Sequence, residues 1–271
     1  MRLVRLVLVL VLAVLAVPLA AAAPAQAATP GYVRLAHLSP DTPEVDVYLT
    51  SFSGTTKVFP AVGYATVSAY QPLAAGRYTV AMRMPGAAAD SDPVVSMTVR
   101  VVARAAYTVA GVGPRSDLSL KVLTDDLSRP ASGTARMRVV QAASSAGTVD
   151  VRTDTGRSIA TGVRFPSTTG YTEVPAQRWT LEAEGAGGSP QASTSVDVRS
   201  GSIYTVLVLD RRQGSGLRLD VVADAAGTGR VPTGGVDAGG SGLPSPWLPV
   251  AGLLALAALR VALPRRHAVH A

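Results

Sequence analysis

Residues 33–49 read "VRLAHLSPDTPEVDVYL", and residues 137–153 repeat the pattern as "MRVVQAASSAGTVDVRT". The alignment places Asp46 on Asp150, and each acid stands between two valines. Further matches join "VGYATVSAYQPLAAGRYTV" (62–80) to "VRFPSTTGYTEVPAQRWTL" (163–181), and "AAYTVAGVGPRSDLSLKVLTDD" (105–126) to "GSIYTVLVLDRRQGSGLRLDVVADA" (201–225). Because the matches follow in the same order, they indicate a duplicated module. The repeat predicts modules at 31–127 and 135–225, joined by a linker at 128–134.

Apolar residues alternate within each copy and do not recur at helical spacing. The alternating segments of the first copy are "YVRLAHL", "EVDVYLT", "RYTVAMRM", "PVVSMTVRV", "AAYTVAGV" and "DLSLKVLT". Such segments, rich in Val, Tyr and Thr and bounded by turn residues, predict six or seven short strands per module. We therefore expect an all-β fold of two tandem immunoglobulin-like β-sandwich modules, with a small barrel as the alternative. The chain has no cysteine, so the modules must be held by their cores without disulfides.

The two ends of the chain predict export and anchoring. Residues 1–27 place two arginines before an apolar run and end in Ala-Gln-Ala, an order typical of a signal peptide. Residues 226–246 are rich in glycine and predict a flexible stalk. Residues 247–263 are apolar except for Arg260, and basic residues follow in the tail at 264–271. This order predicts a transmembrane anchor with the modules on the extracellular face of the cell membrane. A sortase-linked form and a freely secreted form are the alternatives.

The charge of the chain belongs mostly to its ends. The sequence has 25 Lys and Arg, 18 Asp and Glu, and a formal net charge of +7. Five of the basic residues lie in the signal, anchor and tail segments, which leaves the exported part with 20 basic against 18 acidic residues, or +2. This near balance, without a basic run interleaved with aromatics, argues against nucleic-acid binding.

The first copy carries the motif "HLSPDTPEVDVYL" at 37–49, and with "VGYATVSAYQPLAAGRYTVAM" and "AYTVAGVG" it resembles the bacterial secreted-protein family labelled domain of unknown function 4397. The resemblance covers about 32–126 well and 135–224 more loosely. It implies a secreted or surface β-sandwich module with no assigned catalytic residues. The second copy departs from the motif, with Gln141 where the first has His37.

His37, Ser39 and Asp41 are the residue types of a nucleophilic triad, which would make the protein a secreted hydrolase. A triad needs side chains that converge in space and a separate oxyanion hole. These three residues stand two positions apart around a proline, which is ordinary turn chemistry. We therefore expect a structural turn and no catalytic residue. His37 is also the only histidine of the exported part, which excludes a histidine-rich zinc site.

Acidic residues raise a calcium question. Asp46 and Asp150 are either calcium ligands or outward-facing charges that protect an edge strand. Asp125, Asp126 and Asp224 at the module ends raise the same question, but none has the dense acidic spacing of a calcium loop. We predict no metal site and no cofactor.

Aromatic residues recur at matched positions of the two copies, and they predict cores more readily than a sugar-stacking platform. The set comprises Tyr64, Tyr70, Tyr78, Phe165, Tyr171 and Trp179, with Arg77 and Arg178 preceding two of them. The sequence thus predicts a non-catalytic, surface-displayed protein of the bacterial cell envelope, acting as an interaction or structural module. Its ligand would be an envelope polysaccharide or a protein. A carbohydrate-binding or calcium-binding module remains the alternative.

Overall fold

The computed structural model describes residues 29–189, 191–212 and 215–225, together with the backbone of Val236–Asp237. The predicted signal peptide, anchor and tail lie outside the described residues, as does the predicted stalk apart from that backbone. Within the described part of the chain, no helix combines the length and apolar character that a membrane span requires. The described residues belong to one unit of the chain, which ends at Gly239.

The first module is a sandwich of two sheets. Its strands are β1 (Gly31–Leu38), β2 (Val45–Ser51), β3 (Thr56–Val62), β4 (Thr66–Val67), β5 (Gln71–Leu73), β6 (Gly76–Arg83), β7 (Val95–Val101), β8 (Ala106–Val112) and β9 (Ser119–Asp125). The first outer sheet has the order β3-β2-β6-β7. The first inner sheet has the order β4-β1-β8-β9, with β5 also on β1. Strands β1 and β8 are parallel, and the other pairs are antiparallel.

The second module repeats this arrangement. Its strands are β10 (Thr134–Gln141), β11 (Thr148–Thr153), β12 (Ser158–Arg164), β13 (Ser167–Thr168), β14 (Thr172–Pro175), β15 (Arg178–Gly185), β16 (Gln191–Asp197), β17 (Ile203–Asp210) and β18 (Leu217–Ala225). The second inner sheet has the order β13-β10-β17-β18, with β14 also on β10, and the second outer sheet has the order β12-β11-β15-β16. The parallel pair of the first module recurs as β10 and β17. The predicted all-β fold of two tandem sandwiches is confirmed.

The six alternating segments of the first copy form β1, β2, β6, β7, β8 and β9. The module has three more strands in the described chain, β3, β4 and β5. Alternation did not predict them for two reasons. Strand β3 is an edge strand, largely exposed and interrupted by Pro60, and β4 and β5 span only two and three residues.

Each sandwich has its own apolar core. Val33, Leu35, Val47 and Val80 belong to the first core, and Trp179 and Leu181 to the second. The two cores follow the predicted alternation, because every second residue of a strand points to the same face.

A third apolar cluster joins the two modules. It unites side chains of the first inner sheet with side chains of the second: Ala36, Leu38, Ala65, Val67, Ala110 and Val112 with Val140, Ala142, Leu207, Leu209 and Val222. The inner sheets therefore pack face to face, and the protein has four β-layers, outer, inner, inner and outer. Strand β1 is buried on both faces for this reason, as Val33 and Leu35 point into the first core and Ala36 and Leu38 point to the other module.

A short strand, β19 (Val236–Asp237), pairs antiparallel with β4 at the edge of the first inner sheet. The pairing brings the chain back from the end of the second module to the first. Part of the predicted stalk thus has a backbone partner in the first module.

Candidate functional site

Two buried arginines cross the interface between the inner sheets. The Nη2 of Arg34 in β1 donates to Oδ1 of Asp224 in β18 at 2.6 Å, and the Nη2 of Arg138 in β10 donates to Oδ1 of Asp125 in β9 at 2.5 Å. The side chains of both pairs are at most 4% exposed. The duplication relates the two pairs, so each module contributes one cation and one anion to the other.

Hydroxyl groups complete this interface network. Oδ2 of Asp125 accepts from the hydroxyls of Tyr70 and Thr108, both at 2.6 Å. Oδ2 of Asp224 accepts from Tyr171 at 2.9 Å and Thr205 at 2.6 Å. The Nε of each arginine donates to the threonine of its own module, at 2.8 Å for Arg34 and 2.9 Å for Arg138. The tyrosine rings lie under the guanidinium groups, Tyr70 at 4.7 Å from Arg34 and Tyr171 at 4.8 Å from Arg138.

The electrostatics of the network favour charged arginines and neutral tyrosines. Burial lowers the pKa of the Arg34 guanidinium. The nearby carboxylates of Asp224 and Asp125 have the larger combined effect and raise the pKa above its ordinary value. Burial raises the pKa of the Tyr70 hydroxyl, and Asp125 adds to the increase despite Arg34. Tyr171 has a raised pKa for the same reasons, burial first and Asp224 next, with Arg138 opposing. The tyrosines therefore stay hydrogen-bond donors throughout the physiological pH range.

This network is a structural contact between the modules. Desolvating a charge costs several kcal/mol, which pairing offsets only when the remaining polar atoms are also bonded. Every member here has such partners. The cavity between the inner sheets beside the network has a volume of about 10 Å³, close to the minimum for one water. Asp125 and Asp224, two of the acids considered for calcium, thus bind arginines instead.

The predicted turn around His37 is present, and its three triad residues do not form a triad. His37 and Ser39 are buried and Asp41 is exposed. His37 Nδ1 accepts from the amide of Ser39 at 3.4 Å, so Nε2 carries the proton and donates to the Pro43 carbonyl at 3.1 Å. The hydroxyl of Ser39 is bonded to Thr42 at 2.6 Å. The side chains of His37 and Ser39 are thus both hydrogen-bonded within the turn.

Asp41 and His37 have distinct structural roles in this turn. The carboxylate of Asp41 accepts from the amide of Arg115 at 2.8 Å, which ties the turn to the β8–β9 connection. Burial lowers the pKa of His37, and the carbonyl of Pro43 offsets only part of this effect. The imidazole is therefore held neutral.

Asp46 and Asp150 each stabilise a β-bulge in the neighbouring strand. The carboxylate of Asp46 accepts from the amides of Ala61 at 2.8 Å and Gly86 at 2.9 Å, and that of Asp150 from the amide of Gly162 at 2.6 Å. Ala61 and Gly162 have positive φ, at 51° and 62°, and the strand register shifts beside them. A bulge leaves an amide without a ladder partner, and the acid supplies that partner.

The remaining acid considered for calcium, Asp126, is 53% exposed and bonds to Arg136 at 2.7 Å. Hydrogen bonds from Arg136 and Ser128 lower its pKa. Within the part of the chain that the structure describes, no three acids or histidines come together as a metal site.

The repeat-matched aromatics lie mostly inside, as predicted. The hydroxyl of Tyr78 donates to the Ala74 carbonyl at 2.9 Å, and the indole of Trp179 donates to the Pro175 carbonyl at 3.1 Å. Tyr70 and Tyr171 belong to the interface network. Tyr64 is half-buried and donates to the Asp210 carbonyl of the other module at 2.7 Å, and Phe165 is half-buried. These six residues do not form a sugar-stacking platform.

The exposed large apolar residues concentrate on the first module. Among the described residues, all six belong to it: Phe52, Val58, Met84, Val94, Val102 and Val122, at 38% to 59% exposed. The guanidinium of Arg77 lies 4.5 Å from the centre of the Phe52 ring. Only Val58 and Val122 of the six lie within strands, and alternation alone does not distinguish an outward apolar residue of a strand from a core residue.

A row of threonines crosses the first outer sheet. Thr56, Thr50, Thr79 and Thr98 stand in register on β3, β2, β6 and β7. The next outward row places Tyr48 opposite Val58, with the guanidinium of Arg83 4.9 Å from the Tyr48 ring centre. We call this surface, comprising the four threonines with Tyr48 and Val58, the Thr–Tyr face.

The second outer sheet carries paired charges instead. Arg152, at the position matching Tyr48, bonds to Glu184 at 2.6 Å and Glu182 at 3.2 Å. Arg178, which the sequence paired with Arg77 as a possible face-lining residue, faces Asp197 at 3.8 Å and is 73% exposed. Both of these arginines of the second outer sheet therefore face acidic side chains.

The family model described as domain of unknown function (DUF4397) matches residues 31–152. The chain carries a DUF4397 domain at those residues. The match covers the first module and extends through β10 and most of β11, so the rest of the second module lies outside it. The DUF4397 domain therefore includes the His37 turn, the Thr–Tyr face and Arg138. None of the curated proteins matches the chain significantly.

Solved structures give distant similarities. The Bacillus anthracis TIE protein is 11% identical with a TM-score of 0.23, covering 67% of this chain and 34% of its own. A streptococcal virulence factor, solved in a study of alpha-glucan binding, is 11% identical with a TM-score of 0.23, covering 65% and 92%. A candidate cell adhesion protein from Bacteroides fragilis NCTC 9343 is 9% identical with a TM-score of 0.20, covering 72% and 98%. This chain thus spans about a third of the TIE protein, and TM-scores this low support no functional argument.

Proposed function

We propose that the protein is a non-catalytic binding protein of two immunoglobulin-like modules displayed on the bacterial cell surface, in which the first module presents the Thr–Tyr face to an envelope polysaccharide. The predicted signal peptide and C-terminal anchor support the location. The DUF4397 domain carries the proposed binding surface. The observation that carries the proposal is the in-register row of four threonines beside Tyr48 on the first outer sheet.

The chemistry of this face suits a sugar chain. An aromatic ring offers an apolar face to the C–H groups of a sugar, and its polar edge can remain hydrated. Threonine hydroxyls donate and accept hydrogen bonds, so they can match sugar hydroxyls of either polarity. Strands lie about 4.8 Å apart, so a row over four strands spans roughly 14 Å. That length suits an extended polymer better than a single small molecule.

The geometry of the His37 turn supports our proposal that the protein is not a hydrolase. Ser39 bonds to Thr42, and His37 bonds only to backbone groups in the described chain. A general base must reach the proton that it removes, and here both residues are buried in the turn. We expect no hydrolysis of a bound polysaccharide.

The test is calorimetric titration of the purified full chain with polysaccharide isolated from the cell envelope. We expect binding to the wild type and about a tenfold loss of affinity in Tyr48→Ala, because a central aromatic contact contributes more than about 1 kcal/mol. The control is Arg152→Ala at the matching position of the second module, which should bind as the wild type does. Equal affinity of Tyr48→Ala and the wild type would remove the Thr–Tyr face from the proposal.

A further inference from the structure

The second module has a pocket at the open edge between its two sheets. The pocket has a volume of about 480 Å³ and lies where β16 of the outer sheet faces β18 of the inner sheet. Arg211, Arg212 and Arg218 line it together with Asp220 and Ser193. We call it the arginine pocket.

The charge of the arginine pocket is unbalanced. Arg218 is neutralised by Asp220, with Nε at 2.8 Å from Oδ1 and Nη2 at 2.8 Å from Oδ2. Arg211 donates from Nε to the Leu217 carbonyl at 3.0 Å, which positions its guanidinium and leaves the terminal nitrogens available. Arg212 is exposed and has no hydrogen bond or ion pair to any described residue. Two cationic groups therefore remain for an outside partner.

The corresponding connection of the first module is built differently. There the β8–β9 connection forms a short 3-10 turn at Arg115–Asp117, and Asp41 binds the amide of Arg115. In the second module the corresponding contact runs the other way, since Asp210 accepts from the amides of Ser144 and Ser145 at 2.9 Å and 3.2 Å. Asp210 thus joins the β10–β11 turn to the end of β17, and neither Arg211 nor Arg212 takes part in that contact.

We propose that the arginine pocket binds an acidic sugar, a hydroxylated ring that carries one carboxylate or phosphate. The planar fork of arginine matches the paired oxygens of either anion. The volume lies within the range of about 300–1,000 Å³ for small-ligand sites, and it far exceeds the space that a bare ion needs. The hydroxyl of Ser193 and the side chain of Leu219 give the rest of the lining the mixed polarity that a sugar ring requires.

This assignment is independent of the Thr–Tyr face. It concerns another module, another chemistry and residues that the proposed polysaccharide contact does not use. A variant that loses acidic-sugar binding should therefore keep polysaccharide binding, and the reverse should also hold.

The test is calorimetric titration of the purified full chain with glucuronate and with glucose 1-phosphate. We expect at least one acid to bind, with affinity that falls at least tenfold in Arg212→Gln and decreases with added salt. Binding of glucuronate alone identifies a carboxylate, and binding of glucose 1-phosphate alone identifies a phosphate. Arg178→Gln, an exposed arginine on β15, is the matched control and should bind as the wild type does.

Several results would overturn the assignment. Failure of both acids to bind, or equal affinities of Arg212→Gln and the wild type, would exclude the pocket as the site. Glucose binding as tightly as the acids would exclude recognition of the anion. Inorganic phosphate binding as tightly as glucose 1-phosphate would exclude recognition of the sugar ring.

Discussion

The two modules share one inner sheet design and differ in what their outer sheets present to solvent. The inner sheets place Arg34 and Arg138, Asp125 and Asp224 at matching positions. On the outer sheets, by contrast, Tyr48 of the first module matches the ion-paired Arg152 of the second. The residues of the inner sheets contact both modules. A substitution in one module therefore leaves a buried charge of the other module without its partner. Outer positions carry no such constraint.

This contrast explains why the proposed binding surfaces are unequal. The Thr–Tyr face has no match on the second outer sheet, and the connection that carries Arg211 and Arg212 in the second module is a short 3-10 turn in the first. A duplicated sandwich can therefore diverge at its outer faces and end turns while the shared interface stays the same.

The largest effect should come from breaking the interface network. Replacing Arg34 or Arg138 by alanine should each lower the free energy of unfolding by about 3–5 kcal/mol, because an aspartate of the other module is left buried and unpaired. Urea unfolding of the purified protein measures this loss. The pairs are related by the duplication, so the two losses should be similar.

The control for this prediction is Arg178→Ala. Its pair with Asp197 is exposed and spans 3.8 Å, so its loss should stay within about 0.5 kcal/mol. A loss below about 1 kcal/mol for either buried arginine would contradict the view that the network holds the modules together.

A smaller effect should separate Asp46 from Asp150. Asp46 is buried and binds two amides, whereas Asp150 is exposed and binds one. Asp46→Ala should cost about 1–3 kcal/mol, because two partly buried hydrogen bonds to its carboxylate are lost, and Asp150→Ala should cost less. Chemical denaturation measures both, with Asp154→Ala as an exposed acidic control. Equal losses would show that the two bulges depend on their acids to the same degree.

The smallest effect concerns pH and the His37 turn. The pKa of His37 is lower in the folded protein than the unperturbed value of about 6.5. Between these two pH values the unfolded chain binds more protons than the folded protein. The stability that neutral His37 contributes is therefore fully present above about pH 6.5, and it is lost as the pH decreases through the folded pKa.

The test is His37→Gln, which installs the residue that the second module has at Gln141. The Tm of the wild type should fall more between pH 7 and pH 5.5 than the Tm of the variant, as followed by thermal unfolding. Parallel pH profiles of the two proteins would mean that His37 does not contribute to this dependence.

Local pattern was sufficient for the fold of each module and for several of its contacts. Alternation identified the six main strands of the first copy, and repeat-matched aromatics such as Tyr78 and Trp179 lie in the cores as expected. The turn around His37 also followed from its Ser-Pro-Asp composition. The role of Asp46 did not, because the strand pattern contains no sign of the bulge at Ala61 that the acid stabilises.

The sequence by itself determined the duplication, the sandwich architecture and the core of each module, because these depend on the period of apolar residues along the chain. Only the tertiary structure decided that the modules stack through their inner sheets and exchange ion pairs. Arg34 finds Asp224 at a separation of 190 residues, and no periodic pattern encodes a pairing over that distance. The physical reason is that the apolar pattern of a strand such as β1 shows that both of its faces are buried. It does not show which sheet covers the second face.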